Sequence, residues 1–203
     1  MPLAYLRYAV LKRLFDLAIC LIVAPLLIPV LLLCALAVAI DSPGKIVFTQ
    51  LRTGQHGRMF RMYKFRTMVR DAEALKASLA HLNILPPPDF KIIDDPRVTR
   101  VGRFLRKTSL DELPQIINVV LGEMSLVGPR PTDFGLATYD LWHMERLEVL
   151  PGITGLWQVD GRHVSTFDER LRMDIAYIDK MSLGFDVWLM LRTVGAVVRG
   201  TGA

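Results

Sequence analysis

Cysteine and histidine are scarce in this chain, and charge is missing altogether from one long stretch of it. The two cysteines, Cys20 and Cys34, support neither a disulfide framework nor a cysteine metal site, and their apolar neighbours favour a packing role. The four histidines, His56, His81, His143 and His163, share no metal-ligand spacing and receive no catalytic role. No internal repeat and no second-domain pattern is present. From Leu17 to Ile40 there is no charged residue, a run long enough to cross a hydrocarbon core. It is too long for the apolar part of a signal peptide, and no small-residue cleavage site clearly follows, so it reads as a permanent membrane element.

Acid is missing on both sides of that run. Residues 1–13 hold none, and Ser42 to Arg70 holds none against seven Lys or Arg. Basic flanks favour the cytoplasmic side, and a straight span must place one of them outside. Pro25 and Pro29 lie in the middle of the run, where each removes a helical hydrogen bond. The predicted path is therefore a re-entrant, proline-broken helical hairpin entering from the cytoplasmic face, residues 1–41. Residues 42–203 form the expected catalytic unit, cytoplasmic and membrane-associated.

What is present is apolar and basic: 52% hydrophobic residues and a net charge of +5. Lys91 to Lys107 adds six basic residues against Asp94 and Asp95. Such a field favours anionic headgroups, phosphorylated substrates or nucleic acid. Lys12 and Asp16 are spaced to pair on a helix. "IVFTQLR" and "RMFRMYKF" read as strands around the turn "TGQHG", and "MVRDAEALKASLAHL" is helical in composition. Helical character is also expected between Asp133 and Leu150 and over much of Ser182 to Arg199, and "LPGITGLWQVDGR" reads as loop or short strand. The fold class is mainly α with a short β-hairpin. "VGRFLRK" and "LGFDVWLMLRTVGAVVRG" mix aromatic, aliphatic and basic residues as interfacial amphipathic helices do; a core-facing helix is the competing reading.

The chemistry concentrates in "RFLRKTSLDELPQ". Asp111 and Glu112 are adjacent carboxylates behind Arg103, Arg106 and Lys107. Ser109 to Glu112 also fits a capping box, which would make both acids structural. In a catalytic reading the two side chains diverge by about 100° on a helix and flank one phosphate. One attacks phosphorus and the other holds Mg²⁺ on the phosphate oxygens. Lys64 and Arg66 in "MYKFRTM" would share a strand face. "SLVGPRPT" stiffens the backbone around Arg130 with Pro129 and Pro131.

Taken in order, "KRLFD", the proline-containing apolar run, "YKFRTM", "DPRVTRVGRFLRKTSLDELPQ", "SLVGPRP" and "PGITGLWQV" resemble the bacterial sugar transferases. The closer resemblance is to the small monotopic phosphoglycosyl transferases that initiate polysaccharide and glycoconjugate assembly. It runs from about Lys12 to the C-terminus. It implies transfer of a sugar phosphate from a UDP-sugar to polyprenol (undecaprenyl) phosphate at the bacterial inner membrane, with release of UMP. It assigns Asp111 as nucleophile, forming a covalent phosphosugar, and Glu112 as a catalytic residue and Mg²⁺ ligand. Lys64, Arg66, Arg106, Pro129, Arg130 and Arg162 carry over as substrate-binding residues. Ile28 stands where well-studied relatives have serine before the hairpin proline. Some relatives carry further N-terminal helices, so a natural short form and the catalytic part of a longer protein are both open. A homodimer is compatible with the sequence, and nucleic acid is not expected as a partner. The competing reading is a membrane-tethered basic module binding lipid or nucleic acid without catalysis, which gives Asp111 and Glu112 no purpose.

Overall fold

A helix apolar on nearly every side opens the fold: α1, Leu3–Asp41. The computed structural model describes residues 3–85, 90–135, 138–160 and 166–199. Among these, the helix runs through Pro25 and Pro29, where the sequence predicts a break. Two prolines remove the donors to the Leu21 and Pro25 carbonyls, and a helix can bend there without ending. One stripe of α1 is buried, with Asp16, Cys20, Cys34 and Val38 at helical spacing. Its other faces expose Leu21, Ile22, Leu26, Leu32, Leu33 and Ile40. Among the described residues this is the one helix long and apolar enough to cross a membrane. So extensive an exposed apolar surface makes α1 compatible with membrane association.

Strands β1 (Val47–Thr53) and β2 (Met59–Phe65) form the expected antiparallel hairpin, with Val47 opposite Phe65 and Thr53 opposite Met59. Phe60 and Met62 point inward against Cys20, Val119 and Met124. By strand alternation Lys64 shares their face. Phe65 packs instead with Cys34, Val38 and Leu105. Helices α2 (Arg100–Lys107) and α3 (Ile116–Leu121) follow, joined through a 3₁₀ segment, Leu110–Gln115. A short parallel pair, β3 (Ser125–Val127) and β4 (Gly152–Thr154), brings two distant turns together. A Cβ on Gly152 would lie 2.1 Å from the Gly128 nitrogen, so only glycine permits this crossing. The chain ends in α4 (Leu156–Asp160), α5 (Phe167–Lys180) and α6 (Leu183–Val198). The described part is thus mainly helical with a short antiparallel hairpin, as expected.

Several local expectations fail, each because a tertiary partner wins or is missing. Residues 70–79 form successive turns, followed by a single 3₁₀ turn, Ala80–Leu82. Residues 73–78 are all exposed, and a short helix without a buried face is marginal. Between Asp133 and Leu150 the described helical part is a 3₁₀ segment, Leu141–Leu147. "PGITGLWQVD" contains a helix, α4, as well as the strand β4. Lys12 pairs with Asp186 of α6 at 2.7 Å rather than with Asp16, whose carboxylate accepts from Ser125 Oγ at 2.7 Å.

Asp186 is the main polar fastener between α1 and the C-terminal helices. It is fully buried and accepts from Lys12 Nζ, from Tyr177 Oη at 2.7 Å and from Tyr8 Oη at 3.2 Å. Lys12→Met leaves that carboxylate with hydroxyl partners alone. It is expected to cost about 3 kcal/mol, read as a lower denaturation midpoint in detergent micelles, while Lys12→Arg retains most of the stability.

Candidate active site

Three segments remote in sequence converge on Glu112. Strand β2 delivers Lys64, the 3₁₀ segment delivers Asp111 and Glu112, and the turn after β3 delivers Arg130. Glu112 Oε1 accepts from Lys64 Nζ at 2.8 Å and from Arg130 Nη2 at 2.6 Å, and Oε2 accepts from Arg130 Nη1 at 3.3 Å. The Glu112 side chain is 17% exposed. Burial raises its pKa, but the Arg130 and Lys64 charges outweigh burial and hold the carboxyl well below the usual range.

The capping box predicted here does not form. Ser109 sits in the left-handed region at φ 56° and makes no side-chain cap. Pro114 inside the segment lacks a donor, and the chain adopts 3₁₀ geometry. The Glu112 side chain reaches two cations instead of returning to the Ser109 nitrogen. Asp111 behaves differently. Its carboxylate accepts no hydrogen bond among the described residues, and burial pushes that carboxyl up, opposed by Lys64 and reinforced by Glu112. Adjacent carboxylates are thus driven in opposite directions, one held charged and the other left unpaired and more basic.

The remaining predicted site residues divide. Arg106 on α2 lies close enough to Asp111 to feel its charge, and its Nε donates to Thr67 Oγ1 at 2.9 Å. Pro129 is buried, and its carbonyl accepts from Gly152 N at 2.9 Å, so it fixes the turn that carries Arg130. Arg66 is outside the cluster: its guanidinium donates to the Ser42 carbonyl and hydroxyl and, at 3.1 Å, to the Pro43 carbonyl, just beyond the end of α1. The ladder ends at Phe65, so the shared face expected for Lys64 and Arg66 is lost. Arg162 lies outside the described residues.

A clamp behind Arg130 is absent from the sequence-based assignment. Arg146 Nη2 donates to the Arg130 carbonyl, while its Nε and Nη2 hold Asp174 at 3.0 and 2.7 Å. On the other side Thr132 O accepts from Thr53 N at 3.0 Å, and Arg52 pairs with Asp133 at 3.1 Å. The available sequence signal was Asp174, an acid on the buried stripe of α5 with Leu171 and Tyr177.

The donor set fits a hard cation only together with substrate. Glu112 Oε1 takes two cationic donors, Oε2 takes one long contact, and Asp111 is unpaired. No cluster of three or more potential ligands occurs among the described residues. Mg²⁺ commonly uses one or two carboxylates plus phosphate oxygens and water, and Glu112 Oε2, with its single long contact, fits the carboxylate position.

The family description "bacterial sugar transferase" matches residues 7–200. The chain is 48% identical over 162 residues, 79% of its length, to a galactosyl transferase, CpsE, of Streptococcus agalactiae, covering 36% of that protein. It is 41% identical over 202 residues to a UDP-galactose-lipid carrier transferase of Erwinia amylovora. An undecaprenyl-phosphate galactose phosphotransferase of Salmonella typhimurium also shows 41% identity over 202 residues. Each of these two alignments covers 95% of the chain and 41% of the relative. The chain thus spans about two fifths of the length of these relatives.

Opposite pKa directions give opposite stability effects. Glu112 binds fewer protons folded than unfolded. Its contribution is complete above its ordinary value of 4.5 and is lost progressively as pH falls from there towards the depressed folded-state value. Asp111, raised, disfavours the fold where it is ionised. Denaturation of the micelle-bound protein from pH 4 to 8 is expected to show Glu112→Gln losing about 2 kcal/mol at neutral pH and Asp111→Asn gaining stability there.

Proposed function

The chain belongs to the bacterial sugar transferase family, and from that premise we propose that it is a membrane-bound sugar phosphotransferase. The donor is a UDP-sugar, the acceptor is polyprenol phosphate, and the products are polyprenyl-diphospho-sugar and UMP. The observation carrying this reading is the pairing of a Glu112 held by two cations with an Asp111 carboxylate left unpaired. Asp111 Oδ attacks the phosphorus that bears the sugar, a P–O bond forms to the carboxylate, and the P–O bond to UMP breaks. An oxygen of the lipid phosphate then attacks the same phosphorus and expels the Asp111 carboxylate.

Lys64, Arg106 and Arg130 surround two carboxylates and leave net positive charge for an incoming diphosphate. Arg130 on its clamped turn and Lys64 on its strand hold position before substrate binds, which lowers the cost of organising the site. Pro129 supports that turn, and Arg162 remains a proposed substrate contact. Glu112 Oε2, together with substrate oxygens, would hold a Mg²⁺ ion, which would neutralise charge building on the phosphate. Names of relatives make UDP-galactose the first donor to test.

The proposed location is the cytoplasmic face of the inner membrane, with α1 as a re-entrant anchor for the unit from residue 42 onward. Support comes from basic flanks on both sides and from contacts of both halves of α1 with one body. Lys12, Asp16 and Cys20 pack at one end, Cys34 and Val38 at the other. Helix α6 exposes Val187, Trp188, Leu191 and Val194 on its outward side, where a water-facing helix would be polar, and α2 and α3 add Phe104, Ile117 and Leu121. The non-catalytic basic module is not favoured, because the relatives that match nearly the whole chain are named as sugar transferases and phosphotransferases.

Purified protein with UDP-galactose, undecaprenyl phosphate and Mg²⁺ is expected to release UMP. Without acceptor, intact mass should rise by one sugar phosphate. Asp111→Asn is expected to abolish the adduct and lower UMP release by about 10³-fold or more; unchanged release would refute the nucleophile assignment. For topology, an N-terminal tag is expected to resist periplasmic labelling in intact cells, and its labelling would exclude re-entry.

A further inference from the structure

The Arg106 guanidinium has one hydrogen-bond partner among the described residues, Thr67. Thr67 stands two residues beyond the end of β2 and is 6% exposed. The backbone builds the approach. Thr99 N, at the start of α2, donates to the Thr67 carbonyl at 3.0 Å, and Met68 bridges Val98. A Cβ on Gly102 would sit 2.1 Å from that same carbonyl oxygen, so the first turn of α2 lies against Thr67 only because residue 102 is glycine. Gly102 and Arg106 are four apart on one helix face. Glycine therefore sets how deeply α2 seats, and the Thr67 hydroxyl sets how the guanidinium turns.

We infer that Thr67 is a positioning residue, holding Arg106 by Nε so that its Nη1/Nη2 edge meets a phosphoryl group beside Asp111. The inference rests on the phosphotransfer reading above. A guanidinium has two edges suited to paired oxygens, one using Nε with an Nη and one using both Nη groups. Engaging Nε at 2.9 Å removes the first edge and leaves the second. Orienting the long side chain before substrate arrives also reduces the ordering cost of binding. Lysine at position 106 cannot make both contacts, because it lacks the forked geometry.

The test uses the full chain in micelles with a UDP-sugar that the wild type turns over, read as UMP release. Thr67→Val keeps the shape and removes the hydroxyl, and is expected to lower kcat/KM about tenfold. Thr67→Ser restores the acceptor and should stay within about threefold of wild type. In an Arg106→Ala background Thr67→Val should have little further effect, since no guanidinium remains to orient. A merely structural threonine would carry its full loss into that background, and that result overturns the inference. Thr67→Ala repeats the comparison if Thr67→Val melts below the assay temperature. An active wild type with unaffected Thr67→Val and Thr67→Ala overturns this inference alone. A wild type inactive with every UDP-sugar overturns both this and the phosphotransfer reading.

Discussion

A carboxylate drawn out of water must find positive charge close by, and at Glu112 that requirement organises the molecule. Its partners come from β2 and from the turn after β3, so the pairing is complete only when both elements have docked on the 3₁₀ segment. Each partner is held in turn. The hairpin register places Lys64, while Arg146, Gly152 and Thr53 fix the backbone around Arg130. Breaking such a part-buried pair costs more than the pair contributes, because the remaining charges have nowhere to go. The charged groups around Glu112 are therefore each held by contacts outside the pair itself.

The same rule governs the attachment of α1. Asp186 is fully buried and holds the Lys12 ammonium of α1, while Arg13 of α1 donates to the carbonyls of Val119 and Val120 on α3. Polar contacts hold the first half of α1 and apolar packing of Cys34 and Val38 holds the second. Val127 connects the two regions: its carbonyl accepts from the same Tyr177 hydroxyl that donates to Asp186, and it lies directly before the turn that carries Arg130. The Tyr177 hydroxyl therefore ties the carboxylate that holds α1 to the strand leading into the Arg130 turn.

Much of the outline was legible in the sequence. The hairpin follows from two alternating runs around a glycine-containing turn, and the apolar helix from an uncharged stretch. The final helix follows from its composition, and the acidic pair from its basic surroundings. Local signals misled where they had a competitor. Ser109 and Glu112 match a capping box, yet two cations bind the glutamate more strongly than one backbone nitrogen does. Lys12 and Asp16 match a helical pair, yet each has a buried polar partner on another element. The helical-looking residues after Met68 lack a buried face, and alanine-rich composition cannot replace one.

The sequence by itself determined the β-hairpin, the apolar first helix, the final helix and the identity of the two acids, because hydrophobic periodicity and runs of charge act over a few residues. Tertiary structure alone decided how those acids differ. Their side chains are chemically alike and adjacent, so local sequence cannot separate them. Lys64 and Arg130 arrive from 48 and 18 positions away and bind one of the two. That selection leaves Asp111 unpaired, and it depends on distances in space that no local pattern encodes.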